Sequence, residues 1–342
     1  MGESEVRQAT TREVAGRPPA GHGPRRPTEA LPARRPGSVR RTAVTDILRP
    51  EGLEGVIELL GSATDVLMAT DGADVVLGGA TVDAAVDPGP RPTVLRLSAD
   101  PARPALGALV GGPAMSGLRG RARTALPAEF DAATPLGLLL DDLPVCVLIS
   151  GYASASEPPV GRPGMRRTPP ADVCSGWRSD GAMMTAIATT GALPLLVGPP
   201  APALGPVGDR AGGAPDLARQ AMRRRRWMDL RREAGDLLVE SGFRDSYRDS
   251  AGTEQIVHEY LLSARVRESD LTVVDIAAEP RVLPWQECPW AAASAGRLVG
   301  RRVGTFREHV ADAFTGTTTC THLNDLLRSL DDVAALRSAL AG

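Results

Sequence analysis

Residues 256–266 decide the fold, and they read Ile-Val-His-Glu-Tyr-Leu-Leu-Ser-Ala-Arg-Val. Apolar residues recur there at every second position, which predicts a half-buried β-strand, because successive side chains of a strand point to opposite faces. His258 falls on the more apolar face of this strand. Residues 271–277 predict the next strand, after a turn at residues 267–270.

Two helices are predicted after these strands. Thr305 is followed three residues later by Glu308, the spacing of a capping box, and it opens a helix through Phe314. Thr321 is predicted to cap another helix that runs to Leu330. Strands followed by helices indicate an α+β unit.

The first part of the chain repeats this order of residues. Arg41 and Asp46 correspond to Arg224 and Asp229 at an offset of 183, and Asp65 corresponds to Asp245 at an offset of 180. Further matches pair residues 109–111 with 298–300, and 138–143 with 324–329. We therefore predict two tandem copies of a strand-rich unit with C-terminal helices, in a pseudo-two-fold arrangement. The alternative is chance similarity in a chain rich in Ala, Leu and Arg.

Composition divides the chain into four segments. Residues 1–34 are rich in Pro and Arg without apolar periodicity, which predicts a disordered tail. Residues 35–152 form the first unit, and residues 222–342 form the second. Residues 153–221 form a Pro/Gly-rich connecting arm. We expect part of this arm to pack as an extended segment or functional loop, with a short helix or strand within 183–197.

Composition also limits the class of protein. The chain has 342 residues, 42% of them hydrophobic, and a formal net charge of −2, so no overall field favours nucleic acid or membranes. The four arginines at 223–226 are interpreted as a recurring strand start rather than a nucleic-acid contact. No apolar stretch reaches the roughly 20 residues of a membrane span. With four cysteines and no apolar signal-peptide core, we expect a reduced, cytoplasmic protein.

Rare residues concentrate near the C-terminus. Cys320, His322 and the only asparagine, Asn324, lie within five residues, and we expect His258 and Cys288 to converge on them. Two cysteines and two histidines are ligand types of a tetrahedral zinc site, although their spacing is not that of a zinc finger. The corresponding residues of the first unit are Gly78, Asp100, Ala133 and Pro135, so we expect only the second unit to carry the site.

Other interpretations of these residues stay open. Cys320 at a helix N-terminus has the setting of a nucleophile, with His258 or His322 as its base. The cysteines are alternatively small buried residues, with His322 and Asn324 bonded to backbone amides. Cys174 is a candidate for lining a pocket.

The chain resembles a known family at three short segments. These are Val257-His-Glu-Tyr260, Gln286-Glu-Cys-Pro289 and Thr319-Cys-Thr-His-Leu-Asn-Asp325, and the family is domain of unknown function 2889. Its members have a Cys-Thr-His-Leu motif preceded by a Cys-Pro and a strand-borne histidine. Residues 35–42, 138–153 and 172–177 resemble its longer actinobacterial members. The resemblance implies a site at His258, Cys288, Cys320 and His322 but no reaction.

The sequence thus favours a metal-dependent, zinc-like enzyme of hydrolase or lyase type, acting on a small-molecule substrate that the sequence does not name. Its catalytic residues would be His258, Cys320 and His322, and Cys288 would complete the metal ligands. Glu259, Asn324 or Asp325 would orient these ligands. The alternative class is a non-catalytic binding or scaffold protein that presents the connecting arm to a partner.

Overall fold

Among the residues described by the computed structural model, eight strands form one antiparallel sheet. The described residues are 22–156, 170–191, 193–194, 196–205 and 216–340. The strands are β1 (Ser38–Leu48), β2 (Ile57–Met68), β3 (Asp74–Asp87), β4 (Thr93–Asp100), β5 (Ala221–Glu233), β6 (Asp236–Arg248), β7 (Glu254–Arg267) and β8 (Thr272–Val282). Their spatial order is β4-β3-β2-β1-β5-β6-β7-β8.

The sheet consists of two four-stranded meanders that meet at its centre. Strand β1 pairs antiparallel with β5, from Val39 opposite Leu230 to Ile47 opposite Met222. Each meander follows the chain from the centre to one edge, because short turns connect its consecutive strands. The β1–β5 pair therefore joins residues that are far apart in the sequence into one continuous sheet.

Helices follow each meander. They are α1 (Leu118–Ala125), α2 (Pro127–Asp131), α3 (Pro135–Ile149), α4 (Gly151–Ser156), α5 (Ala182–Thr190), α6 (Phe306–Ala313), α7 (Thr321–Arg328) and α8 (Val333–Ser338). Helix α3 packs on β1, β2 and β3, and α7 packs on β6 and β7. One apolar core lies under each meander, and the two cores together contain most of the buried aliphatic side chains. This arrangement confirms an α+β protein built from strands and C-terminal helices.

The helices of the second half differ in detail from the prediction. Thr305 precedes α6, but its side chain makes no capping hydrogen bond. The residue before α7 is Cys320, and Thr321 is already helical. Helix α7 ends at Arg328 and continues as a 3₁₀ turn, Ser329–Asp332, before α8. Asp331 there accepts hydrogen bonds from the backbone N–H groups of Gly304, Phe306 and Arg307, so it caps α6 from a distance.

The segment predicted as a tail is ordered where it is described. Residues 1–21 lie outside the described residues, whereas residues 22–28 run beside β7 and β8 and Arg34 binds Asp74 of β3. His22 and Arg25 form isolated bridges with Trp285 and Val282, and the Thr28 N–H donates to the buried Glu259 carboxylate at 2.6 Å. An extended segment satisfies its backbone on a sheet edge without apolar periodicity, which explains why composition suggested disorder.

The connecting arm also packs in part. Helix α5 overlaps the first part of the stretch predicted to hold a helix or strand, and the backbone of residues 199–201 pairs with residues 254–256 of β7. Residues 157–169 and 206–215 lie outside the described residues.

One helical stretch, Pro135–Ser156, is long and apolar enough to cross a membrane. However, 83% of its most apolar window is buried within the protein. The stretch also contains Asp141 and Asp142, both of which are buried against arginines. These features are consistent with a core helix of a soluble protein, as expected from the sequence.

Candidate functional site

Two histidines from different elements stack on each other in the second half. His258 lies on β7 and His322 in the first turn of α7, and their ring centroids are 3.8 Å apart at an interplanar angle of 22°. The alternation of β7 turns His258 toward the helices, and the packing of α7 on β6 and β7 brings His322 over it. The convergence of these two residues is as the sequence predicts.

Asp245 on the neighbouring strand β6 joins the histidines. It is opposite His258 in the β6–β7 pairing, directly before a register shift, and its Oδ2 lies 3.6 Å from His258 Nδ1. Among the described residues, Asp245, His258 and His322 form a group in which one potential ligand atom from each lies within 4.8 Å of the others. Two imidazoles and a carboxylate are a donor set for divalent transition metals.

Both histidines have a buried ring nitrogen without a hydrogen-bond partner. These atoms are His258 Nδ1 and His322 Nε2. Burial lowers the pKa of His322 well below its usual value, and the nearby His258 and Arg224 add to this effect, so its ring is neutral at pH 7. A neutral imidazole nitrogen without a partner is free to bind a metal ion.

Arg224 holds the carboxylate of this group. Its Nη1 donates to both oxygens of Asp245, at 3.0 and 3.1 Å, and both side chains are buried. Arg224 also lies near Asp142 and Asp325, at 3.7 and 3.9 Å. The Arg224 guanidinium therefore fixes the orientation of Asp245, and the surrounding carboxylates offset its charge.

The two predicted cysteine ligands lie on one side of this group. Cys320 Sγ is 4.0 Å from His322 Nδ1, and the Tyr260 hydroxyl lies within hydrogen-bonding reach of Cys320. The same hydroxyl donates to the Cys288 carbonyl oxygen at 3.4 Å. Both cysteines are buried, and neither belongs to the group of Asp245, His258 and His322.

Cys174 from the connecting arm packs against the segments of both cysteines. The next residue, Ser175, donates its N–H to the Thr319 carbonyl at 2.8 Å and its hydroxyl to the Glu287 carbonyl. A Cβ atom added to Gly176 would lie 2.5 Å from Cys288 Sγ, so only glycine fits there. Three of the four cysteines therefore surround Tyr260 in one region of the core.

Of the residues predicted to orient the ligands, Glu259 and Asn324 bind elsewhere, whereas Asp325 lies beside the site. Glu259 is on the opposite face of β7, where it accepts from Arg244 Nε at 2.5 Å, because neighbouring strand residues face opposite sides. Asn324 donates to the Phe314 carbonyl at 2.8 Å. Asp325 accepts from Arg119 at 2.7 Å and lies in the arginine–aspartate network beside the site.

Asp245 and Arg224 are the functional candidates that the sequence reasoning missed. Both were recognised as repeated positions, at Asp65 and Arg41, but were not assigned to the site. The available signal was that an arginine and an aspartate recur at corresponding positions of predicted strands in both halves, since charges inside a sheet require partners.

Comparison with known proteins gives a family for the second half. A protein-family model described as "Protein of unknown function (DUF2889)" matches residues 221–336, which confirms the resemblance seen in the sequence. No curated protein matches the chain. A solved structure titled "Crystal structure of lipopolysaccharide binding protein" was also compared with the protein. The alignment covers 78% of this chain and 71% of the chain in that structure, at 11% sequence identity and a TM-score of 0.11. A TM-score this low carries no argument about fold or function.

Proposed function

We propose that the segment of residues 221–336, matched by the family of unknown function, carries a divalent-metal centre held by Asp245, His258 and His322. We further propose that this centre serves a hydrolase- or lyase-type reaction on a small-molecule substrate. The observation that carries the proposal is that Asp245, His258 and His322 each place one potential ligand atom within 4.8 Å of the others, while each histidine has a buried ring nitrogen without a hydrogen-bond partner.

The donor set suits zinc, which binds imidazole nitrogen and carboxylate oxygen and keeps an open position in catalytic sites. In such sites a bound metal supplies Lewis-acid chemistry and lowers the pKa of a water ligand to about 7. Arg224 would hold the Asp245 carboxylate in place, and the two histidine rings would have to turn out of their stacked arrangement to direct a nitrogen of each at one ion.

Cys320 is the natural candidate for a fourth ligand, because its sulfur lies 4.0 Å from His322 Nδ1. Cys288 would have to join from beyond Tyr260 to complete the predicted Cys2His2 set. The role of Cys320 as a nucleophile is less favoured, because burial raises the pKa of its thiol to about 12 despite the nearby amides of His322 and Leu323.

Metal content tests the centre directly. The purified protein should contain about one zinc or iron per chain by elemental mass spectrometry, and the metal-free protein should take up zinc with a stoichiometry near one by calorimetry. His258→Gln and His322→Gln should each abolish this uptake. His309→Gln is the matched control, because His309 packs edge-on against Phe314 and does not belong to the group of Asp245, His258 and His322.

The outcome separates the ligand sets. If Cys320→Ser loses zinc uptake and Cys288→Ser keeps it, Cys320 is a ligand and Cys288 is not. If both variants lose zinc uptake, the result supports the Cys2His2 centre. Retained uptake in both histidine variants, with folding unchanged by circular dichroism, would overturn the metal centre.

We also propose that the two halves are tandem copies. In support, the strand order is symmetric about β1 and β5, and the register shifts fall at corresponding places, after Asp65 and after Asp245. The arginine pairs correspond as well: Arg41 binds Asp65, as Arg224 binds Asp245.

The helices exchange partners between the proposed copies. Arg41 of the first half also binds Asp332 of the second half, and Arg224 of the second half lies near Asp142 of the first. By this exchange, Leu140-Asp-Asp-Leu143 of the first copy corresponds to Leu330-Asp-Asp-Val333 of the second. The sequence had instead matched residues 138–143 with residues 324–329, a few positions earlier.

A further inference from the structure

A cavity of about 350 Å³ opens in the first half of the protein. Arg41, Asp65 and Gly78 line it on the sheet side, and residues 132–136 line it on the helix side. Apolar side chains from the C-terminal helix region, including Leu336 and Ala339, cover another side. The cavity is separate from the proposed metal centre, whose residues Asp245, His258 and His322 do not line it.

The cavity occupies the place in the first half that the histidines occupy in the second. Asp65 is opposite Gly78 in the β2–β3 pairing, directly before a register shift, as Asp245 is opposite His258 in the β6–β7 pairing. On the helix side, the match of Asp141-Asp142 with Asp331-Asp332 makes Ala132, which lines the cavity, the residue that corresponds to His322. The cavity therefore lies at the positions that correspond to the two imidazole rings of the second half.

Gly78 adds no side chain to the open space. A Cβ atom added to Gly78 would meet nothing within 4 Å, and its backbone is not in the left-handed region, so no conformational requirement for glycine is evident. Most glycines that pack inside a sheet have close neighbours instead, as Gly242 does. The lack of a side chain at position 78 leaves room rather than permitting a turn.

The charges around the cavity favour a ligand that donates hydrogen bonds. Arg41 is already shared by Asp65 and Asp332, at 2.7 and 2.9 Å, and Arg103 is bound to Glu129 at 2.5 Å. An anionic ligand would therefore have to displace a carboxylate from an arginine. Asp65 keeps acceptor capacity, because a carboxylate has about four lone-pair sites and Arg41 uses two of them.

We propose that this cavity binds a small planar nitrogen base, with an amidine- or imidazole-like N–H group on Asp65 and its ring against the apolar wall. The ligand would lie beside Asp65 in the same way as the His258 ring lies beside Asp245 in the second half. Apolar walls with a few polar groups that fix the ligand's orientation are the usual composition of a small-molecule site. The site is independent of the metal centre, so the two proposals can fail separately.

Benzamidine is a suitable probe, because it joins a planar amidinium to an apolar ring. Titration of the full-length protein, followed by ligand-observed NMR and calorimetry, should show saturable binding of benzamidine, and benzoate of the same shape should not bind. Gly78→His should weaken benzamidine binding at least tenfold, since the new imidazole fills the cavity beside Asp65. Gly120→His is the matched control, because position 120 also has open space and does not line the cavity.

The metal centre provides a second control. His258→Gln should leave benzamidine binding unchanged, and Gly78→His should leave the metal content unchanged. Binding of benzoate in preference to benzamidine would overturn the proposed ligand class. Benzamidine binding that survives Gly78→His, or no benzamidine binding at all, would overturn the proposed site.

Discussion

Arg224 Nη1 lies 3.0 Å from one carboxylate oxygen of Asp245 and 3.1 Å from the other, and neither side chain is more than 1% exposed. Breaking a buried pair by removing one partner leaves an unpaired buried charge, which costs about 3–5 kcal/mol. We expect Arg224→Met to lower the free energy of unfolding by about this amount, measured by urea denaturation.

The corresponding variant Arg41→Met should have an effect of similar size, because Arg41 binds Asp65 and Asp332 in the same buried manner. Arg96→Met is the control: its partner Asp83 is about half exposed, and exposed pairs contribute about 0–1 kcal/mol. Arg224 and Arg41 variants as stable as the Arg96 variant would contradict the structural role of the two pairs.

Glu259 ties the N-terminal segment to the sheet. It binds Arg244 and the N–H of Thr28, and Arg244 in turn donates to the Thr28 carbonyl. We expect Glu259→Gln to release residues 22–34, because an unpaired Arg244 would draw water into the interface. Limited trypsin digestion with mass spectrometry should then show faster cleavage after Arg25 and Arg34. Glu279→Gln, at an exposed pair with Arg281, should leave the cleavage rate unchanged.

Gly242 is required by its neighbours. It is opposite Trp227 in the β5–β6 pairing, and an added Cβ atom would contact the Trp227 ring and lie 2.8 Å from the Tyr260 carbonyl oxygen. We expect Gly242→Ala to cost about 1–3 kcal/mol in unfolding free energy, as overpacking does, and to change the tryptophan fluorescence. Gly120→Ala has open space and should show no such loss.

The cysteines should differ in reactivity. Cys174 is half-buried, whereas Cys146, Cys288 and Cys320 are buried. We expect a thiol reagent to label at most one cysteine per native chain, and Cys174→Ser to remove that signal. All four cysteines should react in guanidinium. Rapid native labelling of Cys320 would contradict its burial and would revive its role as a nucleophile.

Tyrosine ionisation provides a test by pH. Burial raises the pKa of Tyr152 to about 12 and that of Tyr260 well above its usual value. Since the unfolded pKa is about 10, this stabilisation is complete below pH 10 and is lost as the pH rises toward 12. Absorbance at alkaline pH should show delayed ionisation in the native state, and Tyr152→Phe should remove one delayed group. The chain has no lysine, so no ammonium titrates in this range.

The sequence was informative where local pattern determines structure. The alternation around His258 predicted β7, and the rarity of histidine and asparagine pointed to the segment around His322. The contribution of Asp245 could not be read from β6 alone, because it depends on the register between two strands. Residues 22–34 show no periodic signal, since individual contacts with β7, β8 and, at Arg34, β2 and β3 hold them.

Buried charged residues were the second feature that could not be predicted from the sequence. Asp141 and Asp142 interrupt an apolar stretch of the sequence, and they lie inside α3, where they bind Arg328 and Arg226 from other elements. These two partners are 187 and 84 residues away, which no local pattern reports.

The pairing of β1 with β5 also affects how the chain is made. Its partners are between 175 and 191 residues apart, so a ribosome adding about 5–20 residues per second exposes β1 for about 10–40 s before β5 emerges. During that interval one edge of the nascent first half presents unpaired N–H and C=O groups. The growing polypeptide thus passes through a stage in which it needs protection from association with other chains.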